Sequence, residues 1–143
     1  MSYIIRELLI SDLDTDSFFA TLSNLKPIKK IDASLAKKIF VDCAAKGIVT
    51  LVAEEKGKII GTVRLLFESK YYHGGRLAGH IEDVATHKDY VGQGVASALI
   101  KYAIDLCKEK GCYKIILDCS DELIEFYQKL GFRHSDNCLR LGI

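Results

Sequence analysis

The sequence Tyr-Val-Gly-Gln-Gly-Val-Ala-Ser, residues 90–97, connects a strand-like segment, residues 79–86, to a strongly periodic helical one. A glycine-rich bend at the start of a helix turns several backbone N–H groups outward without partners inside the helix. The positive end of the helix macrodipole lies at the same place, so the bend suits phosphate oxygens. By itself the pattern is weak evidence, because many such bends only end a strand and begin a helix.

The segment after Gly94 predicts an amphipathic helix that ends at Gly111. Its inward face carries apolar residues at helical spacing: Val95, Ala98, Leu99, Tyr102, Ala103 and Leu106. Residues 113–119 follow and are almost continuously apolar in their middle, which is typical of a strand covered on both faces. A short helix over about residues 121–130 comes next, and we expect one or two closing strands from Phe132 onward.

The first half of the chain predicts a strand over residues 3–8 and a helix, capped by Asp12 or Asp14, that runs to about Asn24. Asp32 is predicted to begin a second helix that ends at Gly47. The residues expected to face inward from this helix are Leu35, Ile39 and Cys43.

Strands are predicted over residues 48–54, 58–70 and 77–86, with Lys56-Gly57 as a hairpin turn between the first two. The complete order is βααβββαβαββ, which indicates an α/β domain with a mixed sheet. We expect a single domain over residues 1–143.

Composition excludes several classes of protein. Apolar residues make up 49% of the chain and charged residues 27%, as in a globular protein with a packed core. The formal net charge of +1 gives no support for nucleic-acid binding. No apolar run approaches the ~20 residues that span a bilayer, and no secretory signal is evident, so we expect no membrane association and a cytoplasmic location.

The five cysteines are an odd number without metal-ligand spacing. We therefore expect reduced thiols, mostly buried, and no metal. A nucleophilic Cys119 lacks an evident base in the sequence.

Acidic residues lie where two predicted strands end near helix starts, which is where ligands gather in open α/β sheets. Glu82 and Asp83 lie in one strand, Asp118 lies in the other, and Tyr127 lies two turns into the following helix. Each also has an ordinary structural role available: a salt bridge for Glu82, a helix cap for Asp118 and core packing for Tyr127. A carboxylate within an apolar strand has a raised pKa unless it is paired, which favours a binding or basic role.

Residues 79–132 resemble the GCN5-related N-acetyltransferase superfamily, and specifically the glucosamine 6-phosphate N-acetyltransferases. The resemblance rests on Gly-His-Ile-Glu-Asp-Val (79–84), Gly-Cys-Tyr-Lys-Ile-Ile-Leu-Asp-Cys (111–119) and Phe-Tyr-Gln-Lys-Leu-Gly-Phe (126–132). A weaker likeness covers Glu-Ser-Lys-Tyr-Tyr-His (68–73). The third segment is common in the superfamily, whereas the first two are more specific.

The resemblance implies acetyl-CoA as the donor. The backbone of Val84 and Ala85 would pair with the pantetheine arm as with another strand, which requires the central strands to splay, with a β-bulge near Asp83. The amides of the glycine bend would hold the pyrophosphate: Gly92, Gln93, Gly94, Val95, Ala96 and Ser97. Two residues depart from the family pattern. Val91 lies where the family usually has Gln or Arg, and Leu123 lies where it often has Asn.

The resemblance also implies direct transfer to an amine in a ternary complex. Asp118 would orient the amine and Glu82 would accept its proton, and the reverse assignment stays open. Tyr127 would protonate the departing thiolate, and an N–H near Val84 would stabilise the oxyanion.

The implied acceptor is a phosphorylated amino sugar, and the product would be N-acetylglucosamine 6-phosphate on the route to UDP-N-acetylglucosamine. Its binding residues would be Lys70, His73, Glu82, Asp83, Tyr113 and Lys114. Lys26 and Arg140 are looser candidates for contact with the phosphate. The family also implies a homodimer with C-terminal strands in its interface.

Two alternatives remain at this point. The chain could acetylate another small amine or a protein amine, or it could be a CoA-binding sensor without catalysis, which Val91 and Leu123 permit.

Overall fold

The computed structural model describes residues 2–143, which form one five-stranded sheet with helices on both faces. The strands are β1 (Ile4–Glu7), β2 (Val49–Glu55), β3 (Lys58–Ser69), β4 (Leu77–Thr86) and β5 (Lys114–Ile116). They lie in the order β1-β2-β3-β4-β5, with every neighbouring pair antiparallel except the parallel pair β4–β5. The α-helices are α1 (Asp16–Ser23), α2 (Ala33–Ala45), α3 (Val95–Glu109) and α4 (Ile124–Gln128). Within residues 2–143, none of the helices combines the length and apolar character needed to cross a membrane.

The first helix does not begin where the sequence predicts. Residues 10–14 form a 3₁₀ turn, and α1 begins at Asp16 after Thr15. Asp12 instead accepts hydrogen bonds from Arg6 Nη1 and from the Leu9 N–H, both at 2.7 Å. Burial alone would raise the pKa of Asp12, but the hydrogen bonds and charge of Arg6 hold it below its usual value. The predicted cap at Asp12 or Asp14 is wrong because Asp12 is engaged by an arginine of β1.

The second helix begins and ends as predicted, but its buried face differs. The Asp32 carboxylate caps it by accepting from the Leu35 N–H at 2.7 Å, and Gly47 follows it with φ +70°. Leu35 and Ile39 are 44% and 42% exposed, so their predicted inward orientation is wrong. α2 packs on the 3₁₀ turn of residues 10–14, away from the sheet, and a cavity of about 420 Å³ lies beneath it.

Helix α3 covers the other face of the sheet and completes the main core. Its fully buried residues are Val95, Leu99, Ile100, Ala103 and Cys107. They pack on buried residues of the strands: Leu51, Ala53, Ile60, Val63, Leu65 and Ile81. Tyr102 is 46% exposed, so its predicted inward position is wrong. The buried face of α3 includes Ile100 and Cys107, which the predicted inward face did not, because their side chains pack on the sheet.

Gly61 allows α3 to approach β3 closely. A Cβ atom at this position would lie 2.6 Å from Val95 Cγ1 and 2.8 Å from Leu99 Cδ1, both fully buried and unable to move freely. We expect Gly61→Ala to lower the free energy of unfolding by roughly 1–3 kcal/mol through overpacking. Urea unfolding measures the change. Gly142→Ala, where a Cβ meets no atom within 4 Å, is the matched control, and equal midpoints for the two variants would contradict this account.

The C-terminal part of the fold differs most from the prediction. Strand β5 is only three residues long, and Lys114 and Ile116 are exposed, so the predicted 113–119 strand with two covered faces is wrong. No strand forms in residues 132–143, all of which the structure describes, so the predicted closing strands are wrong for the single chain. A strand needs a hydrogen-bonded neighbour, and among the described residues β5 pairs only with β4.

Candidate active site

Strands β4 and β5 separate along their length. β4 and β5 pair at three positions, the last of them His80 with Ile116, whereas β4 continues to Thr86. Beyond His80 one edge of β4 therefore faces an opening in the sheet. This confirms the predicted splay, and an exposed strand edge can accept an extended ligand as an additional strand.

A β-bulge turns β4 at the predicted place. Thr62 pairs with Ala85 and Arg64 pairs with Glu82, so Asp83 and the next residue together oppose a single residue of β3. Asp83 has φ +51°, a conformation uncommon outside glycine. The bulge lies beside Glu82 at the mouth of the opening. Ala85, which follows the bulge, is buried.

The glycine bend lies at the start of α3. Gly92 and Gly94 have φ of +79° and +82°, and a Cβ at either would meet no atom within 4 Å. The Ala98 N–H donates to the Gly94 carbonyl at 3.1 Å, so the three amides before Ala98 lie outside the hydrogen-bond ladder of the helix. Gln93 Nε2 donates to the Asp89 carbonyl at 3.2 Å and fixes the bend. The bend is exposed and presents the amides of residues 95–97 without intrahelical partners, as a diphosphate requires.

The structure brings the predicted carboxylates into one electrostatic neighbourhood. Burial raises the pKa of Glu82, and the negative charges of Asp118 and Asp83 raise it further. Asp118 is exposed and accepts a hydrogen bond from Cys138 Sγ at 3.6 Å. A half-buried carboxylate with a raised pKa is a stronger base than one in water, as proton removal from an ammonium requires.

Tyr127 lies in the core, with only 6% of the residue exposed. Its ring makes edge contacts with Phe126 and Phe132, at centroid distances of 4.9 and 5.8 Å. Burial, together with Cys119, raises the pKa of Tyr127 to about 12. The hydroxyl therefore stays protonated at neutral pH, as the predicted role of Tyr127 as a donor requires.

The basic and aromatic residues meet at the start of β5. The His73 ring stacks on Tyr113 at a centroid distance of 4.0 Å, and Lys114 Nζ lies 5.5 Å from the Tyr113 centroid. Lys70 Nζ lies 2.9 Å from Glu68 Oε1, which raises the pKa of Lys70. Lys26 and Arg140 are both exposed.

No role is assigned from the sequence to a hydrogen-bonded pair beside this cluster. His80 Nε2 lies 3.1 Å from Glu68 Oε1. The hydrogen bonds from Lys70 and His80 lower the pKa of Glu68. His80 and Glu82 are two residues apart and therefore share one face of β4, a spacing that could have revealed His80 as a neighbour of the site.

The charge of Asp118 gives a testable pH effect. In the wild type, activity that depends on ionised Glu82 is lost as pH falls through its raised pKa. Asp118→Asn removes one of the charges that raise this pKa, so we expect the acid limb of the kcat/KM profile to move to lower pH, whatever happens to the maximal rate. Glu125→Gln, on the exposed side of α4, is the control. A limb that stays in place in Asp118→Asn would show that Glu82 is not the titrating group.

Taken together, the split strand pair, the amide-lined bend and the carboxylates define an enzyme that transfers an acyl group from an extended carrier to a nucleophile. The comparison with family models makes this specific: the model described as "Acetyltransferase (GNAT) family" matches residues 10–132. The chain belongs to that family.

Individual relatives agree. The chain is 43% identical over 99 residues to the glucosamine 6-phosphate N-acetyltransferase of Trypanosoma brucei brucei, covering 68% of this chain and 67% of the relative. It is 33% identical over 134 residues to the enzyme of that name from Arabidopsis thaliana, covering 91% and 89%. The crystal structure of glucosamine-6-phosphate N-acetyltransferase from Arabidopsis thaliana superposes with a TM-score of 0.94 at 32% identity, covering 99% of each chain.

Proposed function

We propose that the chain transfers the acetyl group of acetyl-CoA to the amine of glucosamine 6-phosphate, giving N-acetylglucosamine 6-phosphate for UDP-N-acetylglucosamine synthesis. The observation that carries the proposal is the basic, aromatic cluster of Lys70, His73, Tyr113 and Lys114, which lies in the β3–β4 connection and at the start of β5. The names of the relatives support the same acceptor. The cytoplasm suits this function, and all five cysteines are free, as in a reducing compartment.

The site fits acetyl-CoA, which supplies the acetyl thioester. The amides of residues 92–97 hold its diphosphate with the dipole of α3 behind them. The backbone of Val84 and Ala85 pairs with the pantetheine arm along the free edge of β4. Val91 is 61% exposed at the bend and offers no side-chain donor, so this cradle depends on backbone groups.

The acid–base chemistry belongs to Glu82 and Asp118. Glu82 removes the proton from the ammonium, directly or through water, and the exposed carboxylate of Asp118 orients the amine. The Val84 N–H donates to the carbonyl oxygen as negative charge develops there. Alignment of the two reactants supplies several kcal/mol without a covalent enzyme intermediate.

The phosphate of the acceptor is held by Lys70, His73 and Lys114, and Tyr113 and Asp83 contact the sugar. The proposed site therefore has two charged parts. Cations at the start of β5 bind the phosphate, and carboxylates at the end of β5 bind the amine. This division of charge favours an acceptor that carries an anion and a cation at opposite ends.

A thiol-release assay with acetyl-CoA and a panel of amines tests the proposal. Glucosamine 6-phosphate, glucosamine, spermidine and a peptide with a free N-terminus form the panel. We expect turnover with the sugar phosphate and at least roughly 10²-fold lower kcat/KM with unphosphorylated glucosamine, since the charge-assisted hydrogen bonds between the phosphate and the cations are lost. Preference for the polyamine or peptide would reject this acceptor, and absence of turnover with CoA binding intact would indicate a sensor.

Tyr127 offers a separate test of the chemistry. Tyr127→Phe removes one hydrogen-bond donor to the leaving sulfur, so we expect kcat to fall roughly 10- to 10³-fold while both KM values change little. Steady-state kinetics measure this. Tyr102→Phe, on the exposed side of α3, is the control, and an unchanged kcat for Tyr127→Phe would remove the hydroxyl from the mechanism.

We also propose that the chain acts as a homodimer. The outer edge of β5 is open among the described residues, and the tail carries apolar side chains that are almost fully exposed: Leu139 at 93%, Leu141 at 87% and Ile143 at 121%. A second copy can cover both features with strands that the single chain does not form. Light scattering coupled to size exclusion should give the mass of two chains, and the mass of one would reject the dimer.

A further inference from the structure

We propose that Cys107 and Cys112 form a dithiol modification site, oxidised to an intrachain disulfide by peroxides or by small-molecule disulfides. Cys107 lies in the last turns of α3, and Cys112 lies just before β5. The site lies outside the machinery assigned to acetyl transfer.

The backbone at the end of α3 brings the two residues together. The Cys112 N–H donates to the Cys107 carbonyl at 3.0 Å, and the Gly111 N–H donates to the Lys108 carbonyl at 3.0 Å. Gly111 has φ +78°. These two bonds and a left-handed glycine define a Schellman motif, in which the side chains corresponding to Cys107 and Cys112 contact each other. The motif therefore places the two side chains next to each other at the end of α3.

The sulfur atoms also converge on a single point of β4. A Cβ atom on Gly79 would lie 2.9 Å from Cys107 Sγ and 3.6 Å from Cys112 Sγ. Glycine at this position leaves room for both sulfurs side by side. Burial, with the adjacent Cys112 thiol, raises the pKa of Cys107 to about 12. Cys107 is fully buried and Cys112 only partly, so Cys112 is the thiol that an oxidant reaches first.

The chemistry balances with a peroxide as oxidant. Cys112 loses its proton, the thiolate attacks one oxygen, and the O–O bond breaks to give a sulfenic acid and a hydroxide, which takes up that proton as one water. Cys107 sulfur then attacks the Cys112 sulfur, and its proton leaves with the hydroxyl as a second water. Two thiols lose two electrons and two protons, and the peroxide is reduced to water. With a disulfide as oxidant, a mixed disulfide on Cys112 is the intermediate, and two small thiols are released.

The disulfide would join the end of α3 to the start of β5. Arg76 already donates to the Gly111 and Cys112 carbonyls at 3.2 Å, and the Tyr113 N–H donates to the Leu77 carbonyl at 2.9 Å. Tyr113 and Lys114 follow Cys112 directly. The effect on activity, unlike the disulfide itself, rests on the proposed function. Oxidation would change the position of the phosphate-binding cluster. We therefore expect the KM for the sugar phosphate to change several-fold while the KM for acetyl-CoA changes little.

Mass spectrometry tests the site without any reference to activity. The purified protein is treated with a small excess of hydrogen peroxide, then alkylated, digested without reductant and mapped. We expect a peptide pair cross-linked through Cys107 and Cys112, lighter by two hydrogens and separated by dithiothreitol. Irreversible oxidation of Cys112 alone, or cross-links only through the exposed Cys119 and Cys138, would overturn the proposal.

Variants add a matched comparison. A Cys119→Ser, Cys138→Ser background removes the exposed thiols, and Cys112→Ala in that background should abolish the two-hydrogen loss. The peptide mapping of the wild-type protein does not depend on whether these variants fold. If the cross-link forms and neither KM changes, the site stands and its link to the acceptor is rejected; if the protein shows no acetyl transfer, the mapping still decides the site.

Discussion

Glu82→Gln is expected to lower kcat/KM for the amine acceptor by roughly 10²- to 10⁴-fold, the range for loss of a general base. The side chain lies beside the bulge of β4, where burial and two neighbouring carboxylates raise its pKa. Glutamine keeps the size and polarity of the side chain but cannot accept a proton. Because burial and like charges disfavour the ionised carboxylate in the fold, Glu82 contributes stability below its unfolded pKa that is lost as pH rises through its folded pKa.

The matched control is Glu109→Gln, at the exposed end of α3, which should keep wild-type kinetics. Stability provides a second readout. Glu82→Gln removes a charge that the fold disfavours at neutral pH, so its unfolding midpoint should equal or exceed that of the wild type. A variant that retains activity at high pH, where the amine is already neutral, still fits loss of a base. Wild-type activity across the entire pH range would contradict the assignment.

Gly94→Asp is expected to weaken acetyl-CoA binding by roughly 10²-fold or more. The position begins α3 with φ +82°, and its surroundings are open. A carboxylate there would face the diphosphate, and two like charges about 4 Å apart repel by up to about 4 kcal/mol at an effective dielectric of 20. Calorimetry with CoA measures the effect on binding alone, and kinetics should show that the KM for the acceptor changes far less.

Gly47→Asp separates this effect from backbone strain. Gly47 also has a left-handed conformation, φ +70°, and open surroundings, but it follows α2 and lies outside the glycine bend. Both variants should lose about 1 kcal/mol of stability, as a non-glycine residue in this region does. Only Gly94→Asp should lose affinity for CoA. Equal loss in both variants would mean that strain, and not charge at the bend, determines binding.

Local signals in the sequence predicted much of this arrangement. Strand β4 has the predicted bounds, and α3 begins directly after Gly94 as predicted. The hairpin at Lys56-Gly57 formed as expected, since both residues adopt the positive φ that such a turn requires. The bulge at Asp83 was predicted from the resemblance, because a ligand inserted between strands needs a separation there.

Predictions failed where a distant residue decides the outcome. Asp12 would cap a helix by local rules, but the guanidinium of Arg6 engages it. Leu35 and Ile39 have helical spacing, but periodicity cannot show how far α2 stands from the sheet. The strength of residues 113–119 as a strand was overestimated, because apolar residues extend a strand only where neighbouring strands are present.

The sequence by itself determined which side chains are proposed to carry the chemistry and where the backbone bends at glycine, since both depend on side-chain type and local conformational preference. Tertiary structure alone decided that Glu82 and Asp118 share one electrostatic neighbourhood, that His80 joins Glu68, and that Cys107 and Cys112 converge above Gly79. The physical reason is that charge coupling, and the approach of both sulfurs to Gly79, depend on distances of a few ångströms between residues far apart in the chain. Such distances are fixed only when strands and helices pack.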